Sequence, residues 1–124
     1  MKYSIIRSYA KLNLALNITG KTRHLHKIES IVAFIDLHDL IMIRRIKSNR
    51  HNITFRGKFS KSINNNNTVF KLLKILEKKN FLKNIKLQIK IDKRVPNKAG
   101  LGGGSMNAAN ILIYLIKKKI IKIT

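Results

Sequence analysis

Cysteine and tryptophan are absent from the 124-residue chain, proline occurs once, and only five residues are acidic. Without cysteine, disulfide scaffolds, Cys-ligated zinc and iron–sulfur clusters are excluded. Long hydrophobic runs are missing too. The longest unbroken one is Ile111–Ile116, far short of the roughly 20 residues that span a bilayer. Near the N-terminus Arg7 and Lys11 follow Lys2 too closely for a signal-peptide core. These absences lead us to expect a soluble, cytoplasmic protein with no membrane partner. The length suits a single domain able to bury roughly two-thirds of its unfolded surface.

What is abundant is positive charge. Twenty Lys and seven Arg outweigh Asp36, Asp39, Asp92, Glu29 and Glu77, for a net charge of +22. Such an excess points first to nucleic acid, because basic side chains displace counterions from phosphates. The pattern argues against that. Lys outnumbers Arg about three to one, although Arg is the better bidentate phosphate and base ligand. The cations are spread along the chain, the aromatics do not interleave with them, and Ile28–Ile43 and Ala99–Leu115 contain neither Lys nor Arg. Lys, Ile and Asn supply 54 of the 124 residues, and all three are encoded by A/T-rich codons. Codon drift is the simpler source of the charge, and nucleic acid is an unlikely partner.

Tyr3–Ile6 is a short apolar run. Strand alternation appears over Lys11–Ile18 and again over Ile85–Asp92. Ile28–Leu37, Leu40–Ile46 and Ile53–Phe55 are further strand candidates, with turns expected at His38-Asp39 and Ser48–Asn52. After the Asn-rich loop Ser60–Asn67, either Asn67 or Thr68 can cap a helix whose apolar stripe is Val69, Leu72, Leu73 and Leu76. A second helix is expected from about Ser105 to Lys119, with Ala109, Leu112, Ile113 and Ile116 as its stripe. Strands followed by helix, strand, glycine loop and helix indicate an α+β or mixed α/β layer.

The segment Pro96-Asn97-Lys98-Ala99-Gly100-Leu101-Gly102-Gly103-Gly104-Ser105-Met106 sits between that last strand and the second helix. Glycines allow close backbone approach, and a helix start offers unpaired N–H groups and a positive dipole end, so a phosphate suits it. It is not a Walker A loop, since no Gly-Lys-Ser/Thr follows. Nor is it a Rossmann fingerprint, since Ser105 takes the third-glycine position and no acidic residue follows. A tight strand-to-helix turn is the plain alternative.

Pro96-x3-Gly-Leu-Gly-Gly-Gly-Ser-x2-Ala-Ala resembles the phosphate-binding motif of the GHMP kinases. Tyr9-Ala10-Lys11-Leu12-Asn13-Leu14 resembles the Pro-Ala-Lys-Leu-Asn-Leu opening of one branch of that family. His26-Lys27-Ile28-Glu29-Ser30, Asp36-Leu37-His38-Asp39 and Asp92-Lys93-Arg94-Val95-Pro96 resemble further motifs of the branch, in the same order. The resemblance implies the N-terminal GHMP-kinase domain, a ribosomal-protein-like two-layer α+β fold with a mixed sheet and two main helices. It also implies transfer of the γ-phosphoryl of ATP, with Mg²⁺, to the 2-hydroxyl of 4-diphosphocytidyl-2-C-methyl-D-erythritol, in non-mevalonate isoprenoid precursor synthesis. By the same resemblance, Pro96–Met106 wraps the ATP phosphates, Lys11 is the active-site lysine, and Asn13 and His26 hold the substrate, His26 near the cytosine. Period-2 geometry independently puts Lys11 and Asn13 on one strand face. His24, His38 and His51 are read as structural or surface residues, and no metal site is expected.

The sequence departs from the pattern at Leu25, where the family has a tyrosine, and at Met106, where it has a second serine. The family's catalytic aspartate lies in a Gly-Ala-Asp-Val-Pro segment beyond the second helix, and its C-terminal domain follows. Residues 1–124 are therefore expected to form one N-terminal, ATP-binding domain without that aspartate, its other half supplied, if at all, by a separate chain. None of the five acidic residues is an evident general base, and the face that would meet the other half should be apolar. Two readings stand beside the kinase: a remnant or half-subunit that binds nucleotide at most, and a basic RNA-binding module.

Overall fold

A computed structural model describes residues 2–10, 37–60, 67–96 and 103–122. They form strands β1 (Ser4–Tyr9), β2 (His38–Ile46) and β3 (Asn52–Arg56), helix α1 (Thr68–Lys78), strand β4 (Lys86–Asp92) and helix α2 (Gly103–Lys117). The sheet order is β1-β2-β4-β3. β2 pairs antiparallel with both β1 and β4, while β3 and β4 run parallel. A parallel pair needs a crossover, and α1 lies within the chain that provides it. The expected α+β class, with a mixed sheet and two helices, is what is found.

Alternation decides which sheet face is buried. Ile41 and Ile43 on β2 and Leu87, Ile89 and Ile91 on β4 have no exposed surface. The register sets them in rows across the sheet: Ile6–Ile41–Ile91–Phe55, then Ser4–Ile43–Ile89–Ile53. α1 lays Val69, Leu73 and Leu76 against these rows, and α2 adds Ile111 and Leu115. Asn67 is the α1 N-cap, its Oδ1 accepting from the N–H groups of Val69 and Phe70. Both helices end in the same way. Phe81 N–H reaches back to the Leu76 carbonyl and Asn80 N–H to that of Glu77; Ile120 and Lys119 do the same to Leu115 and Ile116. Asn80 (φ 58°) and Lys119 (φ 59°) adopt the left-handed conformation this closure needs. The following residues, Leu82 and Ile121, then turn back into the core.

Three expectations need correction. His38 and Asp39 do not form a turn; they open β2, and Asp39 takes the inward position two residues before Ile41. α2 starts at Gly103 rather than Ser105 and stops at Lys117, because the left-handed Lys119 closes it. The buried stripe of α2 is Asn107, Ile111 and Leu115, whereas Ile113 and Ile116 are 47% and 41% exposed. A helix apolar over most of its circumference hides its register from periodicity; the polar Asn107 marks the buried face. The strands expected over Lys11–Ile18 and most of Ile28–Leu37 lie outside the described residues.

Candidate functional site

Inward alternation along β2 runs Ile43, Ile41, Asp39, and along β4 and its extension Leu87, Ile89, Ile91, Lys93, Val95. Leu40 pairs with Asp92, so one step further Asp39 stands opposite Lys93. On the other side of β2, Asp39 pairs with Ser8 of β1. The row Ser8–Asp39–Lys93 is thus polar where the next two rows are apolar, and all three residues are buried. α2 answers it with two asparagines one turn apart. Asn107 Nδ2 donates to Asp39 Oδ2 at 2.9 Å, and Asn110 Nδ2 donates to Ser8 Oγ at 2.9 Å.

Asp39 is the hub of this layer. Its Oδ2 also accepts from Lys93 Nζ at 2.5 Å. Its Oδ1 accepts the backbone N–H groups of Arg94 and Val95 at 2.6 and 2.8 Å. Four donors surround one buried carboxylate, the arrangement a buried charge requires. Lys93 Nζ is committed to Asp39 and is not a surface cation. Asp92, one residue earlier, points to the other face and pairs with Arg94 at 3.2 Å.

The ends of the glycine segment sit on this hub. Val95, held by Asp39, precedes Pro96. At the other end Gly103, Gly104, Ser105 and Met106 form the first turn of α2, just before Asn107. That turn contains no acidic residue, and Gly104 and Ser105 are exposed. Thr68 Oγ1, at the start of α1, donates to the Gly104 carbonyl at 2.6 Å, so the N-terminal ends of both helices meet here. Two positive helix ends converge here, which favours anionic oxygen atoms, although Asn67 already takes the Val69 and Phe70 N–H groups of α1. Lys11, Asn13, His26 and residues 97–102 lie outside the described residues. The motif reading missed the buried roles of Asp39, Lys93 and Asn107, which strand register and the packing of α2 bring together.

A second polar cluster lies at the other end of the sheet. Leu87 N–H donates to His51 Nδ1 at 3.0 Å, which leaves Nε2 to carry the proton toward Glu77 Oε1 at 2.7 Å. Lys86 Nζ donates to the same oxygen at 3.0 Å. Partial burial pushes the Glu77 carboxyl up, but the hydrogen bonds and charges of Lys86 and His51 outweigh it and hold the group below its ordinary value. His51 thus has the structural role expected of it. Among the described residues no group of three or more His, Asp or Glu gathers where a metal ion would fit, and no helix is long and apolar enough to cross a membrane.

A mixed four-stranded sheet with two helices, the second entered from a glycine-rich segment, fits a GHMP-kinase N-terminal domain. Residues 67–119 match the family model described as "GHMP kinases N terminal domain", and over that stretch the chain is similar to this family of kinases. Its curated relatives are proteins named 4-diphosphocytidyl-2-C-methyl-D-erythritol kinase. The one from Pelagibacter ubique is 58% identical over 118 residues, 95% of this chain and 42% of the relative. Those from Clostridioides difficile and Francisella tularensis subsp. novicida are 33% and 38% identical over 93% and 87% of this chain, and 38% and 39% of their own length. The chain spans about two-fifths of the length of the curated relatives it matches.

Proposed function

We propose that this chain binds ATP through Pro96–Met106. With the remaining three-fifths of the relatives' length in place, the protein transfers the γ-phosphoryl group to the 2-hydroxyl of 4-diphosphocytidyl-2-C-methyl-D-erythritol. The observation that carries the nucleotide reading is the meeting of the α1 and α2 N-terminal ends at Thr68 and Gly104, at the end of the glycine segment. The two positive helix ends suit phosphate oxygens, and no acidic residue in either first turn opposes them. The substrate assignment rests on the names of the relatives.

In this reading Lys11 faces the transferring group. Its ammonium favours ionisation of the attacking hydroxyl and offsets negative charge as phosphoryl transfer proceeds. Asn13, two residues along the chain, and His26 hold the substrate. Mg²⁺ bound with ATP would neutralise phosphate charge, and the buried Asp39 carboxylate is already filled by four donors. The protein works in the cytoplasm, and a separate chain supplying the other half is its proposed partner.

The test is calorimetric titration of the purified chain with ATP and Mg²⁺. It is paired with a phosphorylation assay on the diphosphocytidyl substrate, run with and without a polypeptide corresponding to the rest of a relative. Saturable ATP binding is expected, with turnover that Lys11→Ala abolishes while ATP still binds. A folded chain that does not bind ATP overturns the reading.

A further inference from the structure

We infer that Asp39 is a positioning residue for the nucleotide site: its buried carboxylate ties the strand end entering the glycine segment to the helix turn leaving it. This rests on the nucleotide reading of Pro96–Met106. Asp39 Oδ1 fixes the N–H groups of Arg94 and Val95, immediately before Pro96. Asp39 Oδ2 fixes Asn107, immediately after Met106. One rigid group thus sets the separation of the two ends and the turn of α2 that faces a ligand. A misplacement of about an ångström in such a site costs far more in function than in folding.

Asn107 distinguishes positioning from stability. It is 98% buried by its 2% exposure, yet its Oδ1 has no hydrogen-bond partner among the described residues. A leucine would fill this core-facing position without leaving a buried acceptor unmade. The amide does something a leucine cannot, which is to hold α2 to Asp39. Lys93 has the complementary part. Its ammonium donates to the same Asp39 Oδ2 that Asn107 reaches, offsetting the buried negative charge.

The experiment compares two neutral versions of the layer, Asp39→Leu/Lys93→Met and Asp39→Asn/Lys93→Met, with the unaltered 124-residue chain. Neither leaves a buried charge unpaired. The asparagine version keeps an oxygen for the Arg94 and Val95 N–H groups, and its amide can donate to Asn107 Oδ1; the leucine version can do neither. Hydrogen exchange of residues 103–108 and ATP affinity are the readouts. The leucine version is expected to exchange there at least tenfold faster and to bind ATP at least tenfold more weakly. The asparagine version should stay within about threefold of the unaltered chain in both, and Asn107→Leu should weaken ATP binding without lowering the melting temperature. Unchanged exchange and affinity in a folded leucine version overturn the inference. If the unaltered chain binds no ATP, the nucleotide reading fails; the exchange comparison still decides whether Asp39 orders this turn. Should both double variants unfold, Asn107→Leu decides alone by the same two readouts, and no change in either overturns the inference.

Discussion

Asp39 Oδ2 and Lys93 Nζ lie 2.5 Å apart on facing strands, with side chains 0% and 1% exposed. Removing one partner leaves the other charged in a place water does not reach. Asp39→Leu alone is expected to cost about 3–5 kcal/mol, and Lys93→Met somewhat less, because Asp39 keeps three other donors. The double variant Asp39→Leu/Lys93→Met should recover only part of the loss, since it removes both buried charges but leaves the Arg94 and Val95 N–H groups and the Asn107 amide without their acceptor. Urea unfolding of the four proteins measures the coupling. Additive single effects would show that the pair does not act as a unit.

Gly57 lies in the turn after β3 with φ of 100°, a conformation that side chains rarely adopt. A Cβ there would sit 2.5 Å from Asp92 Oδ1 and 2.7 Å from the Lys93 carbonyl. The backbone of Lys93 cannot retreat freely, because its N–H is bonded to the Arg56 carbonyl at 2.7 Å. Gly57→Ala is therefore expected to lower stability by at least about 2 kcal/mol, strain and clash together. A melting temperature equal to that of the unaltered chain would remove this reasoning.

Much of this architecture can be read from residue spacing. Val69, Leu72, Leu73 and Leu76 announce α1, and the alternation of Ile85–Asp92 announces β4 and its buried face. Both are amphipathic in the plain sense, so period and burial coincide. Reading fails where charge enters the core or polarity leaves the surface. Asp39 reads as a turn residue beside His38, because a lone aspartate ordinarily favours turns. Only Lys93, 54 residues away, makes it a strand residue. α2 fails for the opposite reason: leucine and isoleucine on most sides make one stripe as plausible as another. The glycine segment stands out in the sequence by its motif, while the hub at its ends is legible only once register places Asp39 and Lys93 together.

Glu77 gives the acid limb of stability a specific contributor. Its folded-state pKa lies below the ordinary 4.5, because the bonds from Lys86 and His51 outweigh burial. A depressed carboxylate stabilises the fold at pH above its unfolded value. The contribution is lost as pH falls through the folded value, because the unfolded chain takes up the proton first. The stability difference between the unaltered chain and Glu77→Gln should be constant from about pH 7 down to about pH 5.5 and shrink toward about pH 3. Denaturant midpoints measured across that range check this. A difference that grows in acid would mean that burial, not the hydrogen bonds from Lys86 and His51, dominates.

The register of α2 makes a prediction opposite to that of its periodicity. Ile111 is fully buried, whereas Ile113, two residues on, is 47% exposed on the other side of the helix. Ile111→Ala should cost about 2–5 kcal/mol, the price of a cavity in a packed core. Ile113→Gln should change stability by less than about 0.5 kcal/mol, since glutamine is a good helix former and little burial is lost. If α2 were rotated so that Ala109, Leu112, Ile113 and Ile116 faced the sheet, the two costs would exchange places. Chemical denaturation of the two variants distinguishes the registers. The same rotation would carry Asn107 away from Asp39, so the stability order of Ile111 and Ile113 also reports whether the hub beneath the glycine segment is assembled.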